Sequence, residues 1–128
     1  DKCKALIHGY LCGQAGAGAM LQAILGEINP SGKLAESYPI KYEDTPSAPY
    51  FPAKQRTAEY REGLYVGYRY FETANVPVLF PFGFGLSYTS FQYSDLKVTD
   101  KEATFTLTNT GSVDGAEVAQ LYVSKLSA

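Results

Sequence analysis

All seven prolines of this 128-residue chain lie between residues 30 and 81: Pro30, Pro39, Pro46, Pro49, Pro52, Pro77 and Pro81. Proline fixes its own φ, lacks an N–H and steers the preceding residue away from the helical region. A long helix therefore cannot run through the middle of the chain, and no amphipathic period is visible from Glu27 to about Tyr88. A stretch of that length without regular structure is uncommon inside a compact domain. It reads as a connector lying across the surface of something larger. Within it, Leu64 to Phe71 is rich in β-formers and reads as a short strand.

The two flanks differ from this middle and from each other. From Lys4 to about Gly26, Leu6, Ile7, Tyr10 and Leu11, then Met20, Leu21, Ile24 and Leu25, follow the i, i+3, i+4 spacing of a helix face. The small residues from Gly13 to Ala19 divide this run into a short strand or helix ending near Leu11 and a helix from about Ala15 to Leu25. Gly26 is its expected stop. Beyond Tyr88 the period becomes two, across Phe91 to Val98, Ala103 to Thr108 and Glu117 to Ser124, with Asn109-Thr110-Gly111 as a turn. Leu96 with Val98, and Ala119 with Leu121 and Val123, are each expected on one face. About three strands are visible, whereas an immunoglobulin-type sandwich takes about seven. The fold class is thus α+β: a short helical N-terminal part, a long Pro/Gly-rich connector and a partial antiparallel β-sandwich.

Hydrophobic residues make up 45% and charged residues 19%, which is a globular composition rather than a disordered one. A net charge of -2 offers nothing to attract nucleic acid or an anionic membrane. No apolar run approaches the ~18 residues of a membrane span. The opening residues do not resemble a signal peptide and begin as an excised segment would, and the cellular location is left unassigned. Cys3 and Cys12 could close one small loop, but reduced, buried thiols are expected. With His8 the lone histidine, the ligand set of a zinc site is missing.

Few residues carry chemistry. Gly16-Ala17-Gly18 lacks the third glycine of a dinucleotide loop and any following Gly-Lys-Ser/Thr, so close backbone approach explains it better. Glu59 and Glu62 are the nearest thing to the paired carboxyls of glycoside hydrolysis, which stand about 5 Å apart when configuration is retained. Arg56, Arg61 and Arg69 lie close by, and ion pairing is the expected fate of both carboxylates. Asp44 and Asp114 sit in turn-like settings. Tyr60, Tyr65, Tyr68, Tyr70 and Phe71 could stack on a sugar, but packing of the connector onto its neighbours is the favoured account. His8 reads as a helix-surface or core histidine, and no Ser-His-Asp constellation can be assembled.

Several stretches go further. Gly13-Gln14-Ala15-Gly16, Ile24-Leu25-Gly26-Glu27 and Asn29-Pro30-Ser31-Gly32-Lys33-Leu34 resemble the end of the α/β-sandwich domain of family 3 glycoside hydrolases. Tyr60-Arg61-Glu62-Gly63-Leu64-Tyr65-Val66-Gly67-Tyr68-Arg69-Tyr70-Phe71 resembles the linker that follows. Phe80-Pro81-Phe82-Gly83-Phe84-Gly85-Leu86-Ser87-Tyr88-Thr89 resembles the approach to that family's fibronectin type III-like domain, and Asn109-Thr110-Gly111 and Glu117 to Ser124 resemble strands within it. The resemblance implies residues 1–38 as the end of the sandwich, 39–88 as the linker and 89–128 as the incomplete start of the fibronectin-like domain.

Such enzymes cleave terminal β-linked sugars with retention. Their aspartate nucleophile comes from a (β/α)8 barrel of ~250 residues, too large for this chain, and their acid/base from a sandwich loop that matches no position here. The resemblance therefore implies a non-catalytic portion of a β-glucosidase or β-xylosidase, inactive alone. It implies no catalytic, cofactor-binding or metal-ligating residue and leaves substrate-binding residues unassigned. The expected partners are the remainder of the parent enzyme or a second copy of the chain, and β-linked sugars in the parent. The alternative is a standalone carbohydrate-binding or interaction module.

Overall fold

The computed structural model describes residues 3–53 and 56–125, arranged as two units, each drawn from separated stretches of sequence. One unit joins the N-terminal stretch up to Ser31 with Leu86–Glu117, and the other joins Gly32–Gly85 with the segment from Val118 onward. The architecture is α+β, with two short helices and two small antiparallel sheets.

In the first unit, helix α1 spans Gly16–Leu25 and has no side-chain cap at its start. Its end is well determined. Gly26 adopts φ 76°, its N–H donates to the Ala23 carbonyl at 3.1 Å, and Glu27 N–H donates to the Gln22 carbonyl at 2.9 Å. That is a Schellman cap, and glycine adopts its left-handed residue without steric cost. Among the described residues, the stretch before Gly13 forms neither a strand nor a helix. Gly16 does meet a neighbour closely, because a Cβ there would fall 1.9 Å from Cys12 Cβ, whereas Gly18 faces open space. Both cysteines are free and, contrary to the expectation of burial, exposed.

Strands β3 (Phe91–Val98) and β4 (Ala103–Asn109) form the hairpin that the alternation anticipates. At the open end of the hairpin, the Asn109 side-chain oxygen accepts from Gly111 N–H (3.0 Å) and from the Thr89 hydroxyl (2.7 Å). The pairing runs regularly from Phe91↔Asn109 to Ser94↔Thr106 and resumes at Lys97↔Thr104. Two residues, Asp95 and Leu96, therefore oppose Phe105 alone, and Asp95 has φ 54°. This β-bulge shifts the alternation by one residue. Without it, Phe91 and Tyr93 would face away from Leu96 and Val98. With it, Phe91, Tyr93, Leu96 and Val98 share a face with Ala103, Phe105 and Leu107, and Gln92, Ser94 and Lys97 share the other with the three threonines of β4. Tyr93 and Phe105 accordingly meet at 5.4 Å. The Tyr93 phenol is pushed up from its ordinary range, first by its apolar surroundings and then by the Glu117 carboxylate.

The bulge sets a prediction. A β-branched side chain at a left-handed residue is strained, so Asp95→Val should cost about 1–2 kcal/mol, while Asp95→Gly should be neutral or slightly stabilising. Paired thermal melts of the two variants would check the opposite signs.

In the second unit, β1 (Tyr38–Pro39) pairs antiparallel with β2 (Val78–Phe80). A single 3₁₀ turn covers Tyr42–Asp44, and Asp44 there pairs with Lys41 at 3.8 Å. Residues 68–71, expected as the end of a strand, instead open helix α2 (Tyr68–Thr73). The reason lies in the glycines: Gly63 (φ 59°) and Gly67 (φ 61°) interrupt any extended run, and the chain re-enters as a helix that buries Phe71. Glu117 to Ser124, expected as a third strand, forms no strand ladder among the described residues.

The apolar core is small. Ala23 (5% exposed) and Phe71 (7%) are the buried hydrophobic side chains among the described residues. The chain exposes 10957 Å². A folded monomer of this mass exposes roughly 6,700 Å², and two separate bodies of half the mass roughly 8,100 Å². Neither comparison accounts for the surface left open.

Candidate functional site

The Phe80 to Gly85 stretch organises the second unit. Its backbone is locked to residues 33–34: Leu34 N–H donates to the Phe84 carbonyl (2.8 Å), Gly83 N–H to the Leu34 carbonyl (2.8 Å), and Lys33 Nζ to the Gly85 carbonyl (2.7 Å). Phe82 N–H donates to Ser37 Oγ at 3.1 Å. The glycines are required by proximity. A Cβ on Gly85 would lie 2.6 Å from the Gly32 carbonyl oxygen, and one on Gly83 would lie 1.9 Å from Gln120 Oε1. Bulky rings therefore alternate with points of backbone contact, and Phe80 and Phe84 stack at 5.0 Å.

Gln120 fills the space beside Gly83. Its Nε2 donates to the Gly83 carbonyl (3.0 Å) and its Oε1 accepts from the Tyr122 hydroxyl (2.7 Å). Beside it opens a cleft of about 620 Å³, lined by Tyr68, Arg69, Glu72, Phe82 and Tyr122 among others. That volume falls within the range of small-molecule sites. Its aromatic groups, however, are engaged with one another. Tyr68 packs on Phe82 at 5.0 Å, Tyr122 meets the Tyr68 ring edge-on at 5.8 Å, and the Arg69 guanidinium lies 5.2 Å from the same ring. A sugar platform needs an open ring face, and Tyr68 does not offer one. Tyr70 packs against Phe71 at 5.4 Å. Tyr60, at 91% exposed, and Tyr65, at 54%, face solvent instead. The five aromatic residues are thus divided between packing and exposure rather than gathered into one platform.

The carboxylates separate in the same way. Glu59 is bound by the Arg61 guanidinium, which also lies 4.4 Å over the Tyr50 ring. The hydrogen bond that Arg61 donates to Glu59, and after it the one with Tyr50, push the Arg61 pKa further up, so this cation is permanent. Glu62 closes a neighbouring turn through its carbonyl, which accepts from Tyr65 N–H at 3.0 Å. The structure therefore pairs Glu59 with arginine and not with Glu62. His8 meets Tyr10 edge-on at 3.9 Å, outside any helix. No group of three His, Cys, Asp or Glu residues among those described is placed to hold a metal ion.

The first unit has a separate node, centred on Asn29. Asn29 Oδ1 accepts from Ser87 Oγ (3.0 Å) and Tyr88 N–H (2.8 Å), and Asn29 Nδ2 donates to the Asp114 carbonyl (3.1 Å). Tyr88 in turn donates its hydroxyl to the Ala23 carbonyl at 2.8 Å. Helix exit, hairpin approach and the 114–115 loop are thereby held by one amide. The only sequence signal was a side chain with both a donor and an acceptor placed before proline.

Residues 1–88 match the Glycosyl hydrolase family 3 C-terminal domain. The chain is 47% identical over 131 residues to thermostable beta-glucosidase B of Acetivibrio thermocellus, covering 96% of the chain and 17% of that protein. Among solved structures, the GH3 beta-glucosidase of Bifidobacterium adolescentis is similar with TM-score 0.73 and 42% identity, over 82% of the chain and 16% of that structure. Beta-glucosidase 3B of Thermotoga neapolitana, solved with glycerol, gives TM-score 0.71 and 40% identity over 80% of the chain and 15% of that structure. The chain thus spans about a sixth of the length of the relatives it matches.

Proposed function

The chain belongs to glycosyl hydrolase family 3, and from that premise we propose that it is a non-catalytic portion of a retaining β-glycosidase acting on terminal β-linked sugars. The observation that carries this reading is the asymmetry of coverage: 96% of the chain aligns with a beta-glucosidase, and only 17% of that protein is accounted for. A β-glucosidase parent is favoured over a β-xylosidase because each relative described above is named a beta-glucosidase. Residues 1–38 close the α/β-sandwich domain, 39–88 form the Pro/Gly-rich linker, and 89–128 open a fibronectin type III-like domain. No residue of the chain acts as nucleophile, acid/base, cofactor ligand or metal ligand. The Glu59–Arg61 pair supports this assignment, since Glu59 is engaged by a guanidinium rather than set opposite a second carboxyl as glycoside hydrolysis requires.

The test has two arms. The pure chain should give no turnover of an aryl β-glucoside above buffer. The same segment, exchanged into the Acetivibrio beta-glucosidase in place of its counterpart, should leave that enzyme active. Turnover by the chain alone that is lost on Glu59→Gln or Glu62→Gln would overturn the non-catalytic assignment. A chimera that folds but is dead would overturn the placement. The reading as a standalone carbohydrate module predicts saturable binding of cello-oligosaccharides lost on Tyr65→Ala, and the scattered tyrosines argue against it.

A further inference from the structure

Asp114 lies in the loop that the Asn29 amide holds, and Gly115 follows it. This is the only Asp-Gly step in the sequence, and Asn-Gly does not occur. In such a step no side chain on the second residue hinders its amide nitrogen from approaching the aspartate carboxyl carbon. The fold itself demands the glycine. A Cβ at position 115 would lie 2.6 Å from Asn29 Nδ2, 3.1 Å from Thr89 Cγ2 and 3.3 Å from Phe91 Cζ. The packing that disfavours any side chain at 115 therefore places a reactive dipeptide in an irregular loop.

The same packing restrains it. Peptide groups are planar, so only φ and ψ of Asp114 turn its two flanking peptide planes relative to each other. Both planes are held. Asn109 Nδ2 donates to the Val113 carbonyl at 2.9 Å, and Asn29 Nδ2 donates to the Asp114 carbonyl at 3.1 Å. Bringing Gly115 N onto the Asp114 carboxyl carbon eclipses Cβ with that nitrogen, at a ψ of about −120°, between the populated backbone wells. Rotation to that point swings the Asp114 carbonyl away from Asn29. Every group involved belongs to the first unit.

We propose that Asp114–Gly115 is a site of spontaneous isomerisation to isoaspartate, and that the Asn29 amide sets its rate. The Gly115 nitrogen bonds to the Asp114 carboxyl carbon, the carboxyl hydroxyl leaves with the amide proton as water, and a five-membered succinimide closes. Water then adds to the main-chain carbonyl carbon, and the bond from that carbon to Gly115 N breaks. The chain now runs through the former side-chain carbonyl, with one more backbone carbon, a free α-carboxylate and no change in mass. The carbonyl that Asn29 held has become part of that carboxylate, so the loop is no longer tethered through its backbone. The new carboxylate is the group that an isoaspartyl O-methyltransferase methylates from S-adenosylmethionine. The reaction does not depend on the glycosidase reading.

The test is prolonged incubation of the whole chain at neutral pH and body temperature, folded and in guanidinium. Isoaspartate is read residue by residue, from resistance to a protease that cuts before aspartate and from enzymatic methyl transfer. It should accumulate at residue 114 ahead of Asp95 and Asp100, more slowly in the folded chain than in guanidinium, and Asp114→Glu should abolish it. Asn29→Ala should speed accumulation at 114 about two- to tenfold, the rate equivalent of one hydrogen bond that must break before the ring closes. Asn29→Asp keeps the acceptor for Ser87 and Tyr88 and removes only the donor to Asp114, so it should show the same acceleration. It adds no site of its own, because Pro30 has no N–H to attack with. Should Asn29→Ala fail to fold, Asn29→Asp carries the test. Accumulation no faster at 114 than at Asp95 and Asp100 overturns the site. A folded Asn29→Asp chain that isomerises at the parent's rate, or a folded parent as fast as the chain in guanidinium, overturns the role of the amide.

Discussion

Replacing Gly85 by alanine should destabilise the unit that contains it by about 1–3 kcal/mol, the range of substitutions that overpack a tight contact. The added Cβ would lie 2.6 Å from the Gly32 carbonyl oxygen, 2.9 Å from Lys33 Cδ and 3.3 Å from Lys33 Cα. The lysine side chain could swing aside, at the cost of its bond to the Gly85 carbonyl. The Gly32 carbonyl and Lys33 Cα cannot move independently, because Leu34 is bonded to Phe84 and to Gly83 immediately beyond. Relief therefore means parting the two segments. A useful contrast is Gly18→Ala, where nothing lies within 4 Å of the new Cβ and the position is inside helix α1. There the same substitution should stabilise by about 0.5–1 kcal/mol, since alanine is the better helix former. Urea denaturation followed by tyrosine fluorescence would show midpoints moving in opposite directions. A Gly85→Ala midpoint equal to the parent's would mean that the close approach is not constraining.

The contrast also shows which features a sequence can display. Glycine at 83 and 85 between Phe82, Phe84 and Tyr88 is a pattern that suggests close backbone contact, and the structure supplies the partners, Gln120 and Gly32. Strands β3 and β4 were legible because alternation is a local property. The phase of β3 was not, because the bulge at Asp95 is a pairing event: no residue in Phe91–Val98 announces that two positions will oppose Phe105. Helix α2 was misread for a related reason. Tyr, Val and Phe between 64 and 71 favour strands intrinsically, but two glycines at positive φ and the burial of Phe71 decide the matter. The Glu59–Arg61 pair was foreseeable from proximity in the chain. The division of the tyrosines was not, because which ring faces are covered depends on Phe82 and Tyr122, distant in sequence.

Asn29 is the residue whose importance the sequence conceals most, and its removal should have the other large effect. Asn29→Ala deletes two accepted bonds and one donated bond, each worth about 0.5–1.5 kcal/mol net in a native structure. Ser87, Tyr88 N–H and the Asp114 carbonyl lose their partner together. The sites are only partly shielded, so water can replace some of what is lost, and a total of about 2–3 kcal/mol is expected. Asn29→Asp separates the two roles of the amide. A carboxylate still accepts from Ser87 and Tyr88, and more strongly, but it presents an oxygen to the Asp114 carbonyl where an N–H stood. Its cost should therefore lie between zero and that of alanine, and it should shrink as pH falls and the carboxyl protonates, since a protonated acid can donate again. Denaturation midpoints of the three chains at neutral pH and near pH 4 would resolve this. If Asn29→Asp were as damaging as Asn29→Ala at both pH values, the accepted bonds from Ser87 and Tyr88 would not be what holds the helix exit to the hairpin approach.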